Sequence, residues 1–140
     1  METENSLYSR VSGYVGTFSL FDLVNVRITK RSSLLLVDHE ESYIALAIYC
    51  SAPNTIVYIC DPNGILSSGL SPQLTEFLEN TFTCINVYIT NQLTSQTCVK
   101  YLVLFLHQMS TYHSYSNYLS NFTDNLELND YVTNYLYKQL

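Results

Sequence analysis

Two apolar runs joined by a turn constrain this chain more than anything else in it. Tyr43 to Cys50 and Thr55 to Cys60 are both rich in β-forming residues, and Ala52-Pro53-Asn54 lies between them. Runs of that length around such a turn predict a β-hairpin. Just upstream, Leu34-Leu35-Leu36-Val37 is a short continuous apolar run of the kind a fully buried strand shows. Asp61-Pro62-Asn63-Gly64 closes the hairpin with strong turn residues.

The flanking segments read as helices and further strands. Gly13 and Gly16 punctuate the entry to Thr17-Phe18-Ser19-Leu20-Phe21, an irregular or strand-like piece, and the segment up to about Ser12 starts a short helix. Ser71-Pro72 is an N-cap followed by Pro at the first helical position, with Leu74, Phe77 and Leu78 at helical spacing. Cys84 to Thr90 reads as a strand. Thr94 or Ser95 caps the next helix, whose apolar face (Val99, Leu102, Val103, Phe105, Leu106) is wide enough to require burial against a sheet. Leu126 to Leu140 reads as a last amphipathic helix with Tyr131, Val132, Tyr135 and Leu136 on one side. The pattern is α+β: a mixed or antiparallel sheet of about four to five strands on a central buried helix and further helices. At 140 residues, with no repeat or linker, it predicts a single domain over 1–140.

Composition narrows the function classes. Charged residues are 13% of the chain and the net charge is −6, with Arg27, Lys30 and Arg31 as the one basic cluster. Nucleic-acid affinity draws on Lys and Arg against phosphate, so DNA and RNA are poor candidates for a partner. Thirteen Tyr and no Trp fit half-wet protein contacts, although the coding bias of an AT-rich genome, whose codons favour Tyr and Asn, explains most of that excess. Cys50, Cys60, Cys84 and Cys98 show no paired spacing and lie beside apolar residues, which predicts buried, reduced thiols and neither a zinc site nor a disulfide framework. No cofactor is implied. Met1-Glu2-Thr3-Glu4-Asn5 is acidic and polar, unlike a secretory leader, and the longest apolar run, Tyr101 to Leu106, is too short to span a bilayer. The expectation is an intracellular protein that is not secreted.

Taken singly, the chemistry-bearing residues have plain structural readings. Cys98 is a core cysteine, Asp61 an ordinary turn aspartate, and His39, beside Glu40 and Glu41, a solvated loop histidine. Tyr112 to Tyr118 is an exposed loop or a contact patch. In order, however, three segments resemble the adenovirus-type (adenain-like) cysteine proteases and, more distantly, the proteases of SUMO-like modifiers. Ser42-Tyr43-Ile44-Ala45-Leu46-Ala47 matches the family strand that opens with His-Trp. Asp61-Pro62-Asn63-Gly64 matches its acid, Pro, any residue, Gly. Gln92 stands six residues before Cys98, and the run from Cys98 to His107 matches its central helix. Gly16-Thr17-Phe18 resembles a short upstream segment, so the likeness runs from about Gly13 to His107.

The resemblance implies a papain-like fold, a nucleophile at Cys98, an orienting acid at Asp61 and an oxyanion donor at Gln92. A cysteine in the first turn of a helix gains from the partial positive charge there. A donor such as Gln92 is worth ~3 kcal/mol to an oxyanion. The chain departs from the family at two points: Ser42 occupies the histidine position and cannot act as a base, and Val99 stands where the family has Gly. His107 lies nine residues beyond Cys98 along the helix and is out of reach, and His113 has no motif around it. His39, three residues before Ser42, is the remaining substitute base. The leading reading is a degenerate, virus-derived relative that has lost proteolysis and acts by protein–protein binding, as a virion component or assembly factor. The alternatives are an active protease of precursor proteins using His39, and an unrelated small α+β interaction domain.

Overall fold

The computed structural model describes residues 11–28, 31–39, 42–97 and 99–140. Apart from Val11 and Ser12, the expected N-terminal helix lies outside them. Five strands form one sheet in sequence order: β1 (Tyr14–Ser19), β2 (Ser32–His39), β3 (Ser42–Ser51), β4 (Asn54–Cys60) and β5 (Ile85–Ile89). The central hairpin β3–β4 and the pair β2–β3 are antiparallel, whereas the outer pairs β1–β2 and β4–β5 are parallel. The sheet is therefore mixed. Parallel pairs need crossovers. A short 3-10 helix, Asp22–Asn25, lies in the first, and helix α1 (Pro72–Thr81) lies in the second. Beyond β5 come α2 (Lys100–Tyr112), α3 (Tyr115–Leu119) and α4 (Leu126–Lys138).

The hydrophobic runs of β2, β3 and β4 are continuous because both faces of the sheet are covered. Leu35, Val37, Ile44, Leu46 and Ile59 pack on Leu23 and on Leu74, Phe77 and Leu78 of α1. The alternate residues Leu34, Leu36, Ala45, Ala47 and Cys60 pack on Tyr101, Phe105 and Met109 of α2. Ala45 and Ala47 are small, which lets α2 lie close across β3. At Gly16 the β1–β2 register shifts by one residue, at a φ of 151°.

Several local expectations change. Ser71 precedes Pro72 as foreseen, but its hydroxyl makes no cap bond. Neither Thr94 nor Ser95 caps α2; the helix opens at Lys100 behind Val99, whose carbonyl accepts the amides of Leu102 and Val103. Tyr112 to Tyr118 is not a loop: α2 ends at Tyr112, α3 begins at Tyr115, and Tyr118 is buried with its hydroxyl on the Tyr101 carbonyl and 3.3 Å from Cys60 Sγ. Burial pushes the Cys60 thiol far up from its ordinary value, so it stays protonated. Cys84, expected to be buried, is exposed, and its backbone is left-handed at φ 50° just before β5. In α4 the buried residues are Asn129 and Thr133, while Tyr131 and Tyr135 are 75% and 61% exposed. No helix among the described residues is long and apolar enough to cross a membrane.

Candidate functional site

One end of the sheet gathers the residues singled out from the sequence. There β2 ends at His39, β3 starts at Ser42, and β4 runs out into Asp61. Side chains two residues apart on a strand share a face. Val37, Ile44 and Ile59 face α1, so His39, Ser42 and Asp61 extend that same face. His39 stands directly opposite Ser42 in the β2–β3 ladder. It is thus a strand-end residue and not the solvated loop histidine of the sequence reading. Its Nε2 is buried and has no hydrogen-bond partner among the described residues.

Asp61 is 1% exposed, and its carboxylate organises the turn that follows it. Oδ1 accepts the Ile65 amide at 3.1 Å and Oδ2 the Leu66 amide at 2.8 Å. Burial pushes the Asp61 carboxyl up from its ordinary value; the Leu66 and Ile65 amides and the nearby His39 imidazole pull it down without cancelling that rise. The Asp61 amide donates to Thr90 Oγ1 at 2.8 Å, which ties the end of β4 to the end of β5.

The turn after β4 and the loop after β5 are stitched together. The Pro62 carbonyl accepts the amides of Leu93 and Thr94 at 2.8 and 3.1 Å. Ser42 Oγ donates to Asn63 Oδ1 at 2.9 Å, and Asn63 Nδ2 donates to the Gln96 carbonyl at 2.9 Å. Gly64 has φ 68°, and a Cβ there would stand 3.0 Å from Gln92 Cβ. This position therefore needs glycine both for its backbone and for the close approach of the loop. Gln92 Nε2 donates to the Thr94 carbonyl at 3.1 Å, so its amide is committed within its own loop. A cleft of about 460 Å³ opens beside Asp61, Gly64, Ser67 and Gln92.

Helix α4 anchors this loop from the α2 side of the sheet. Thr94 Oγ1 and Tyr101 OH both donate to Asp130 Oδ1 at 2.6 Å. Asn129 Nδ2 donates to the Leu93 and Thr123 carbonyls, and its Oδ1 accepts the Thr123 amide. Sequence reasoning missed Asn63, Thr94, Asn129 and Asp130 as site-forming residues. Asn63 was visible only as a turn residue, and Thr94 only as a helix cap. Nothing local marked Asn129 or Asp130.

Of the residues proposed from sequence, His39, Ser42, Asp61 and Gln92 thus lie around one sheet end. Cys98 lies outside the described residues; in sequence it stands two positions before Lys100, the first residue of α2. His107 lies within α2, and His113 ends it, its ring 5.3 Å from that of Tyr49. Among the described residues, no three His, Cys, Asp or Glu side chains converge as a metal site would require.

No family model matches the chain, and no curated protein matches it significantly. Solved structures do. The ASFV pS273R protease aligns with a TM-score of 0.57 at 8% identity, covering 87% of this chain and 59% of that one. An AvrA deletion variant solved with IP6 and CoA aligns at 0.56 and 11% identity, covering 87% of this chain and 53% of that one. The fold is that of the SUMO-protease-like and adenain-like cysteine proteases. At these identities the likeness carries the fold and nothing finer. The chain spans little more than half the length of either neighbour.

Proposed function

We propose that this chain is a catalytically degenerate cysteine-protease fold that works by binding another protein. The observation that carries this reading is the fate of the polar groups a protease would need. Ser42 fills the position where the resemblance expects the histidine, and its hydroxyl is bonded to Asn63. Gln92, the expected oxyanion donor, gives its amide to Thr94. Asp61 holds two amides of its own turn. Each group serves the architecture of the sheet end, which leaves an ordered, cleft-bearing surface. The low share of charge and the many tyrosines favour a protein partner over nucleic acid. The resemblance supports a virus-derived origin, an intracellular setting and a place in a virion or its assembly. A peptide-based, thiol-reactive suicide inhibitor tests the reading: Cys98 reacts no faster than a free cysteine does. Rapid, peptide-dependent labelling of Cys98 overturns it.

A second reading has one specific observation behind it. The buried Nε2 of His39, which has no partner among the described residues, lies close enough to Asp61 to influence its carboxyl. An imidazole beside a buried acid is the arrangement a general base uses. Here His39 replaces the missing histidine and takes the proton of Cys98. Under this reading His39→Ala abolishes labelling of Cys98 and Ser42→Ala leaves it intact; equal labelling of wild type and His39→Ala removes it.

A further inference from the structure

Helix α4 turns an apolar stripe away from the molecule. Asn129 and Thr133 face inward, and the opposite side carries Tyr131 and Tyr135, flanked by Leu128, which is 46% exposed. The usual amphipathic helix does the reverse and buries its apolar side. The same outward side begins with exposed Glu127 in the first turn and ends with exposed Lys138 in the last. At 3.6 residues per turn, Glu127, Tyr131 and Lys138 fall within roughly 40° of one another around the helix axis. The stripe is thus acidic at one end, aromatic in the middle and basic at the other end. Laid against a reversed copy of itself, it is complementary in charge.

We propose that this face docks on the same face of a second copy of the chain, as an antiparallel helix pair about a two-fold axis at the level of Thr133. A two-fold contact uses one patch twice and must be self-complementary. Tyr131 and Tyr135 lie equally far from that level on either side, so Tyr131 of one copy meets Tyr135 of the other. Near the ends, Glu127 of each copy meets Lys138 of the other. A parallel pair would instead set Glu127 against Glu127 and Lys138 against Lys138, so charge selects the antiparallel one. Tyrosine suits such a contact, because its ring packs while its hydroxyl stays wet. Three partly exposed side chains per copy amount to a few hundred Å². That places the dimer in the weak class, which buries less than about 1,200 Å² in total. The charge of −6 on each copy opposes association further. At dilution the chain is therefore a monomer, and these rings do not bear on the stability of its fold. Asn129 and Asp130, which hold the loop of the candidate site, make their bonds away from this stripe. The proposal therefore goes beyond the binding reading above and does not depend on it.

The test follows backbone amide shifts of the full chain over a concentration series, with sedimentation velocity on the same samples. The shifts that move with concentration centre on residues 127–138, and sedimentation reports a monomer–dimer equilibrium. Tyr131→Ala, which the symmetry removes twice, weakens association about tenfold. Far-UV circular dichroism confirms that this variant is folded, as expected for so exposed a ring. Glu127→Lys and Lys138→Glu each weaken association. An equimolar mixture of those two variants restores it, because every lysine then meets a glutamate at both ends of the pair. Absence of any concentration dependence up to about a millimolar overturns the proposal. So do shifts centred on another surface, or a mixture that associates no better than either variant alone. Charge reversals that change thermal stability and leave association untouched assign Glu127 and Lys138 to the helix dipole, and overturn it too. Rapid labelling of Cys98 defeats the binding reading without touching this one, so each can fail alone.

Discussion

Helices α1 and α4 each lay one face on the rest of the molecule, and the two faces are opposite in chemistry. α1 buries Leu74, Phe77 and Leu78 against β2, β3 and β4. α4 buries Asn129 and Thr133 and turns Tyr131 and Tyr135 outward. The first contact is non-directional and rewards area. The second is directional: Asn129 donates to the Leu93 carbonyl and Asp130 accepts from Thr94, which fixes where the loop after β5 must lie, while further bonds tie the same two residues to Thr123 and Tyr101. Both faces of the sheet carry apolar cores, but α1 adds to its core by area whereas α4 positions the candidate site by directed bonds.

The comparison can be broken at its strong end first. Phe77→Ala removes a nearly fully buried ring and lowers global stability by about 3–5 kcal/mol, read from denaturant unfolding. Asn129→Ala leaves the Leu93 and Thr123 carbonyls and the Thr123 amide without their partner and costs about 2–3 kcal/mol. Its signature is local: faster amide exchange at Leu93, Thr94 and Gln96, with the α1 face unchanged. Uniform loosening of both faces contradicts the division of labour. A third effect concerns Asp61. Its folded carboxyl is raised, so the native state holds that proton more tightly than the unfolded chain does. Its contribution to stability is greatest below the ordinary carboxylate range and falls as pH rises through the raised value. The stability of wild type minus that of Asp61→Asn should fall over that rise; a difference flat with pH refutes the shift. The smallest effect is expected at the exposed face of α4, where Tyr131→Ser and Tyr135→Ser each change stability by no more than about 0.5 kcal/mol. A larger loss at either would place those rings in a contact.

Much of the α1 side was legible in the sequence, because apolar periodicity reports burial and Ser71-Pro72 marks a helix start. The hairpin was legible for the same reason, and its turn residues placed Asp61 at the right end of the sheet. The α4 side was not. Periodicity sorts residues by hydrophobicity, so it turned Tyr131 and Tyr135 inward. What decides the face is the need of the Leu93 carbonyl for a donor, and that need arises from a loop more than thirty residues away. The Thr94 hydroxyl reads locally as a helix cap, yet it is bound to Asp130, 36 residues on, leaving α2 to start at Lys100 without it. The charged residues that follow His39 point to a loop, whereas its pairing with Ser42 puts it in the ladder. Distant hydrogen-bond demand and strand register are the two things local pattern does not carry.

The left-handed, solvent-facing Cys84 has a practical consequence. Electrophiles offered to this protein meet that sulfur readily, while Cys60 is sealed away under Tyr118. Replacing Cys84 by asparagine, which tolerates that backbone geometry, would remove the most exposed of the described thiols, leaving the half-buried Cys50, and relax the turn at once. Such a variant is the natural starting material for asking what the remaining sulfurs do.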